Sequence, residues 1–168
     1  WMNLQMPYKL FTPDHIYITS DAIDYPVTKQ ILSTFHNVKY TCVDDENSID
    51  RSYTVLLLTK QRADFYKNCP GTKKYICCGY QILNLINNCE IGCTYCILQG
   101  YLDEPYITVF VNIEDLFQEL SVLFNGDKNR YFRIGTGELA DSLSTDHFTG
   151  YARMLVEFFS DKRNAMLG

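Results

Sequence analysis

The chain has 168 residues, the size of one domain or of two small ones, and this length excludes a large multidomain protein. With 46% hydrophobic and 21% charged residues it has a globular composition, and no stretch approaches the ~18 consecutive apolar residues of a membrane helix. The net charge of −5 is concentrated in residues 89–168, which carry six basic and twelve acidic groups, so no basic stripe that would follow nucleic-acid phosphates is visible.

The first 74 residues have the pattern of a small α/β domain. Strands are predicted at residues 15–19 and 39–43, and the apolar run at 53–58 predicts a fully buried strand. Pro26 opens a helix between the first two strands, because proline suits the first turn of a helix. The turn-rich residues 67–73 predict a boundary, so we expect residues 1–74 to form a lead-in domain.

From residue 75 the pattern is strand, loop and helix in repetition, which is typical of a parallel sheet with crossover helices. Strands are predicted at 81–86 and 131–134, with an extended segment at 107–111 followed by a helix that Asn112 caps. A second helix extends from Phe148 to Phe159, and residues 164–167 open a third strand. We expect 75–168 to be the first part of a barrel domain in a longer protein, since a complete eightfold barrel takes at least ~200 residues.

The chain contains seven cysteines, and three of them share one short loop. Residues 1–3 show no basic segment leading into an apolar one, so no secretory signal is visible and a reducing cytoplasm is expected, where cysteines indicate metal or redox chemistry before disulfides. Residues 89–96 read CEIGCTYC, a C-x3-C-x2-C run just after a predicted strand. Cys89, Cys93 and Cys96 can each ligate a separate iron of a 4Fe-4S cluster, which leaves one iron open to a small molecule.

A structural zinc site that borrows Cys69, Cys77 or Cys78 is the alternative, because zinc also favours tight cysteine pairs. Zinc ribbons usually show two C-x2-C pairs, and this loop has one such pair with an extra cysteine. The adjacent Cys77 and Cys78, and Cys42 in a predicted strand, are better explained as buried free thiols.

Other stretches around the loop narrow the class of protein. Residues 93–102 read CTYCILQGYL, residues 111–114 read VNIE, and residues 133–143 read RIGTGELADSL. Together with Asp146-His147 and the lead-in at 16–26, these stretches resemble the spore photoproduct lyase family of radical S-adenosylmethionine (radical SAM) proteins. The resemblance spans most of the chain.

The resemblance implies a partial (β/α) barrel of the TIM-like radical SAM type, binding the cluster and S-adenosylmethionine at the C-terminal ends of its strands. It implies an enzyme that cleaves S-adenosylmethionine reductively to a deoxyadenosyl radical. In the lyase, that radical takes a hydrogen atom from a thymine dimer in spore DNA, and two thymines are restored. The implied partners are therefore S-adenosylmethionine, a DNA substrate and an electron donor, with no membrane.

Two positions depart from the family pattern. The alignment puts Glu138 where the lyase has a cysteine that returns a hydrogen atom, which a carboxylate cannot do. Ile97 stands where the lyase has a second tyrosine, whereas Tyr95 is retained and is the candidate catalytic residue. The alternative for Tyr95 and Tyr101 is that they pack over the cluster and shield it from water. These departures also leave open a family member with a different substrate.

Gly137 and Glu138 follow the second predicted strand of the barrel and have a physical interpretation of their own. Glycine lets the backbone approach a ligand, and a carboxylate can hold a cationic amino group, so both are candidates for binding the amino group of S-adenosylmethionine. The alternative is a plain turn with a surface acid. Asp141 could bind cofactor hydroxyls or cap a helix, and His147 could contact substrate or simply be exposed beside a capping Asp146.

The rival to an enzyme is a non-catalytic iron-sulfur or zinc module. In that hypothesis the cysteine loop is structural or senses redox state. Metal content and S-adenosylmethionine cleavage separate the two.

Overall fold

The computed structural model describes residues 10–45, 48–71, 74, 76 and 79–168, and these form two β-sheets with helices packed against them. The predicted mixed α/β class is confirmed. None of the helices in these residues has the length and apolar character to cross a membrane. In chain order the elements are β1 (His15–Thr19), α1 (Pro26–Thr34), β2 (Lys39–Val43), β3 (Val55–Thr59), β4 (Tyr66–Asn68), β5 (Tyr80–Leu83), β6 (Ile86–Asn87), α2 (Leu98–Tyr101), β7 (Ile107–Phe110), α3 (Ile113–Gly126), β8 (Phe132–Gly135), α4 (Asp146–Thr149), α5 (Tyr151–Phe159) and β9 (Ala165–Leu167).

The first sheet has the strand order β2-β1-β3-β7-β6, in which β6 runs antiparallel to β7 and the other neighbours are parallel. Its central strands are buried on both faces, as parallel strands usually are. Ile16 and Ile18 of β1 belong to the main core, whereas Tyr17 between them belongs to a smaller cluster on the other face. All five residues of β3 are buried, which confirms the strand predicted from the apolar run, shifted to Val55–Thr59.

Strand β2 lies at the edge of this sheet, and four of its five residues are exposed. Cys42 is one of them. The prediction that Cys42 is a buried thiol is wrong, because on this edge strand only Val43 is covered by the described part of the chain. Cys77 and Cys78 lie outside the described residues.

The second sheet has the strand order β4-β5-β8-β9, with β5, β8 and β9 parallel and β4 antiparallel at the edge. Phe132 and Ile134 of β8 are fully buried in the main core, whereas Arg133 between them is exposed. The Phe124 ring of α3 lies 5.1 Å from the Phe132 ring and 5.7 Å from the Phe159 ring of α5, measured between centroids. One face of the sheet therefore packs against α3 and α5, and the other face leaves Arg133 open to solvent.

Two elements that the sequence predicts as continuous are divided in the structure. The strand predicted at 81–86 ends at Leu83, and the chain then passes from the second sheet to the first, where β6 pairs with β7. The helix predicted from Phe148 to Phe159 breaks at Gly150, whose φ of +68° is a left-handed conformation that glycine adopts without steric cost. The third predicted strand is confirmed as β9, parallel to β8.

The predicted domain boundary at residue 74 does not separate the two sheets. Strands β6 and β7 follow this boundary, yet both belong to the first sheet, where β7 pairs with β3. Ile18 and Ile134, from the two sides of the boundary, are part of one buried core. The division at residue 74 stays a prediction, and the chain crosses between the two sheets three times, from β3 to β4, from β5 to β6 and from β7 to β8.

Candidate metal and cofactor site

The cysteine loop and the loop that follows β8 lie side by side. The chain leaves β5 and β6 into the cysteine loop, and it leaves β8 at Gly135 into residues 136–145. Because β5 and β8 are parallel neighbours, the segments beyond their carboxyl ends start at the same edge of the sheet. The backbone N–H of Asn88 donates a hydrogen bond to the carbonyl of Leu139, with 2.8 Å between nitrogen and oxygen. The structure thus brings together the two segments that the sequence singles out.

Within the cysteine loop the three thiols are free and partly buried. The N–H of Cys89 donates to the side-chain oxygen of Asn88 at 2.8 Å. At the other end of the loop, the N–H of Cys96 donates to the carbonyl of Cys93 at 3.0 Å, and the side-chain amide of Gln99 donates to the same carbonyl at 2.7 Å. Backbone and amide contacts therefore hold both ends of the loop and leave the sulfur atoms uncommitted.

The three cysteines provide the right chemistry for a cluster without yet forming a closed site. Cysteine thiolates are the ligands preferred by iron-sulfur clusters and zinc, not by calcium or magnesium. Among the described residues, no three His, Cys, Asp or Glu side chains come together as a metal site. Cys69, one possible further ligand for zinc, lies beside β4, where its N–H donates to the carbonyl of Tyr80. The donor set fits a cluster, and the thiols would have to converge when it binds.

Glu138 is exposed, and it makes no hydrogen bond or ion pair with the described residues. The adjacent Gly137 packs closely on its own loop, because a Cβ there would lie 3.2 Å from the Ser142 hydroxyl oxygen. That hydroxyl also accepts a hydrogen bond from Thr136 at 2.7 Å. The loop is therefore held by internal contacts, and the Glu138 carboxylate is free to pair with a cation.

Of the other candidate residues, the two tyrosines have exposed rings, whereas Asp141 and His147 make hydrogen-bond contacts to the backbone. Tyr95 is 90% exposed and Tyr101 is 69% exposed, so neither ring is covered by the described part of the chain. Asp141 accepts a hydrogen bond from the N–H of Leu143 at 2.9 Å, which closes a turn and does not cap a helix. The His147 ring contacts two backbone carbonyls, those of Ser144 and Phe11, at 3.2 Å each.

Asn112 stands at the start of α3, as predicted, but its side chain does not cap that helix. Its oxygen accepts a hydrogen bond from the N–H of Gln61 at 2.8 Å, and its amide donates to the carbonyl of Gln61 and to Asp115. The side chain is thus used to join the end of β3 to the start of α3.

Sequence reasoning missed a cavity of about 590 Å³ next to the cysteine loop. It lies between that loop and the segments that lead into β1 and β3, and its lining includes Thr54, Cys89, Glu90 and Leu98. One carboxylate oxygen of Glu90, Oε2, is buried without a hydrogen-bond partner in the described part of the chain. No sequence pattern marks this cavity, because its walls come from segments far apart in the chain.

The structure defines an α/β protein with a cysteine loop beside a loop that follows a strand. Comparison with known protein families identifies the family of this chain. The sequence profile of the spore photoproduct lyase family matches residues 11–168. The chain therefore belongs to the spore photoproduct lyase family, and the resemblance seen in the sequence is confirmed.

Individual relatives match at low identity and over part of their length. The chain is 23% identical over 167 residues to the spore photoproduct lyase of Geobacillus sp. (strain Y412MC61), covering 89% of this chain and 47% of that protein. It is 22% identical over 162 residues to the spore photoproduct lyase of Bacillus subtilis (strain 168), covering 89% of this chain and 46% of the relative. The chain thus spans about half the length of the curated relatives it matches.

Solved structures of spore photoproduct lyase share the fold. A lyase variant with bound AdoMet and dinucleoside spore photoproduct superposes with a TM-score of 0.80 at 22% identity, covering 95% of this chain and 49% of that one. The lyase complexed with dinucleoside spore photoproduct gives a TM-score of 0.78 over the same shares. At this identity the likeness establishes the fold of the chain.

Proposed function

We propose that this chain is the cluster-binding part of a radical SAM enzyme of the spore photoproduct lyase type, acting on a thymine lesion in DNA. The supporting observation is the backbone hydrogen bond from Asn88 to Leu139, which joins the residue before Cys89 to the residue after Glu138. Family membership and the shared fold support the same assignment. In this proposal residues 75–168 are the opening units of the partial barrel.

Cys89, Cys93 and Cys96 would hold the 4Fe-4S cluster through their thiolates. When bound, the cluster and S-adenosylmethionine supply a carbon-centred radical for hydrogen abstraction. The exposed Glu138 carboxylate would accept hydrogen bonds from the ammonium group of S-adenosylmethionine, since an ammonium and a carboxylate form a strong charge-assisted pair. The exposed Tyr95 ring is available on the same loop as the thiols to contact the reacting molecules.

A second candidate is a family member with a different substrate, and residues 136–145 favour it. These residues contain no cysteine, and the resemblance aligns Glu138 with the hydrogen-donating thiol of the lyase. A carboxylate has no weak S–H bond to donate from. Under this candidate the cluster and S-adenosylmethionine chemistry are kept, and the last hydrogen comes from elsewhere or is not needed.

The experiment is anaerobic reconstitution of the chain with iron and sulfide, followed by metal counting and assay of S-adenosylmethionine cleavage. We expect ~4 iron per chain, as a 4Fe-4S cluster requires, and deoxyadenosine as product under strong reductant. One zinc per chain and no cleavage would establish the non-catalytic module in place of the enzyme.

A pair of variants identifies the ligands. Cys93→Ala removes a proposed ligand and is expected to abolish cluster loading. Cys42→Ala is the matched control, because Cys42 is a free thiol on the edge strand of the first sheet and is expected to leave loading unchanged. Equal iron content in the two variants would show that the ligands are wrongly assigned.

A further inference from the structure

Asn88 uses every polar group of its side chain, and its backbone N–H as well. The side-chain amide nitrogen donates to the carbonyl of Pro105 at 2.7 Å and to the carbonyl of Glu104 at 3.2 Å. The side-chain oxygen accepts from the N–H of Cys89 at 2.8 Å, and the backbone N–H donates to Leu139 at 2.8 Å. This one residue therefore touches the cysteine loop, the segment before β7 and the loop after β8.

The backbone at Asn88 narrows the choice of side chain. Its φ is +70°, in the left-handed region where asparagine and glycine are common and most other residues are strained. Aspartate would place an oxygen against the carbonyls of Glu104 and Pro105, and alanine would lose these contacts and the one to Cys89. Glycine tolerates the backbone angle but offers no side chain. Asparagine alone meets the backbone and hydrogen-bonding demands together.

Different contacts hold the two ends of the cysteine loop. Gln99 and an internal turn hold the carbonyl of Cys93 near the Cys96 end. At the Cys89 end, the backbone N–H of Cys89 donates to the side-chain oxygen of Asn88. The position of the first thiol relative to the other two thus depends on the orientation of that amide.

We propose that Asn88 is a positioning residue that fixes Cys89 for metal binding and couples the cysteine loop to the Glu138 loop. The inference rests on the proposed function, because it gives Cys89 and Glu138 their roles. Residues around metal ligands that orient them typically contribute 10–100-fold in metal affinity. A loss of this size is what removing the Asn88 side chain should cause.

The test compares Asn88→Gly with the control Asn164→Ala. Asn88→Gly keeps the backbone angle and the N–H donor to Leu139, but it removes the side-chain contacts that hold Asn88 against the segment before β7. The retained bond to Leu139 then no longer ties the loop after β8 to a fixed point. Asn164 likewise donates its amide to two carbonyls, those of Phe124 and Asp127, but it precedes β9 at the opposite edge of the second sheet. Three quantities are measured: amide hydrogen exchange of residues 86–97 and 136–145 in metal-free protein, iron retention against a chelator, and the electron paramagnetic resonance spectrum with and without S-adenosylmethionine.

For Asn88→Gly we expect faster exchange in both loops, iron affinity ~10–100-fold below wild type, and a weakened spectral response to S-adenosylmethionine. Asn164→Ala should match wild type in all three. A variant that exchanges slowly, retains iron and responds to S-adenosylmethionine like wild type would overturn the positioning role. If wild type itself binds no iron, the proposed function fails. Hydrogen exchange still tests the coupling in that case. Faster exchange in both loops of Asn88→Gly supports the coupling, and exchange at the wild-type rate in either loop refutes it.

Discussion

Tyr80 lies against Gly135 on the exposed face of the second sheet, and this contact allows a quantitative prediction. Tyr80 is in β5 and Gly135 ends β8, one strand away. A Cβ built on Gly135 would lie 2.6 Å from the Cζ of Tyr80 and 3.1 Å from its Cε1. Separations under 3.0 Å are not tolerated between such atoms, so Gly135→Ala must displace the Tyr80 ring.

The expected cost follows from two opposing effects. Inserting a methyl group into an occupied space typically costs about 1–3 kcal/mol. Gly135 does not have a positive φ, so alanine fits its backbone and reduces the entropy of the unfolded chain, which returns about 0.4–1 kcal/mol. Because the clash is with the tip of a ring that is only partly buried and can turn aside, the lower part of the first range, about 1–2 kcal/mol, applies. We therefore expect Gly135→Ala to lower the free energy of unfolding by about 0–1.6 kcal/mol.

The assay is urea unfolding of a double-mutant cycle between Gly135→Ala and Tyr80→Ala. Once the ring is removed, Gly135→Ala should be neutral or stabilising, which gives a coupling free energy of at least ~1 kcal/mol. Gly126→Ala is the control. A Cβ at this last residue of α3 meets nothing within 4 Å, so the substitution should stabilise the chain by about 0.4–1 kcal/mol. If Gly135→Ala stabilises the chain as Gly126→Ala does, the tyrosine ring does not occupy that space and the reasoning is refuted.

Three further predictions concern hydrogen bonds that are buried or partly buried. The Tyr151 hydroxyl donates to the carbonyl of Phe110 at 2.6 Å, so Tyr151→Phe should cost about 1–2 kcal/mol in urea unfolding at pH 7, and an unchanged midpoint would contradict this. Burial raises the pKa of the Tyr151 phenol above its ordinary 10.0, so the folded state keeps a proton that the unfolded chain releases above pH 10. Wild type should therefore lose stability above pH 10 more steeply than Tyr151→Phe, by up to ~1.4 kcal/mol per pH unit, and parallel pH profiles would argue against it. The Glu119 carboxylate accepts hydrogen bonds from the N–H groups of Phe65 and Tyr66 at 3.0 and 2.9 Å. Glu119→Ala should therefore lower the free energy of unfolding by about 2 kcal/mol and speed amide hydrogen exchange at the start of β4. Slow exchange there would show that these N–H groups have other partners.

The elements that the sequence predicted well are those whose pattern is local. The buried run of β3, the proline that opens α1 and the apolar periodicity of α3 are each visible in a short stretch of consecutive residues. Each element begins and ends within two residues of its prediction. Strand β4 and the split between β5 and β6 were missed. Their existence depends on pairing with partners far along the chain, since Ile86 is a strand residue only because Val109 of β7 lies opposite. Periodicity carries no information about such a partner.

The candidate site shows the same division between local and distant information. The C-x3-C-x2-C spacing is local, and the adjacency of its loop to Gly137-Glu138 follows from the parallel order of β5 and β8, which the strand-loop-helix pattern indicates. Asn88 was missed because the groups that it binds are backbone carbonyls at Glu104 and Pro105, and any residue type supplies a carbonyl. Its positive φ is compatible with asparagine but is not required by the sequence.

The position of Cys89 is set by both sheets at once. Through Asn88 it depends on the segment before β7, a strand whose residues are all buried between β3 and β6. Through Leu139 the same residue is tied to the loop after β8 in the second sheet. The first sheet is therefore part of the framework that positions the cysteines, because β7 supplies a rigid reference on one side of the loop while β8 positions Glu138 on the other. In a site assembled from two sheets in this way, the strands of both sheets must pair in their correct register before the thiols and the carboxylate can face one ligand.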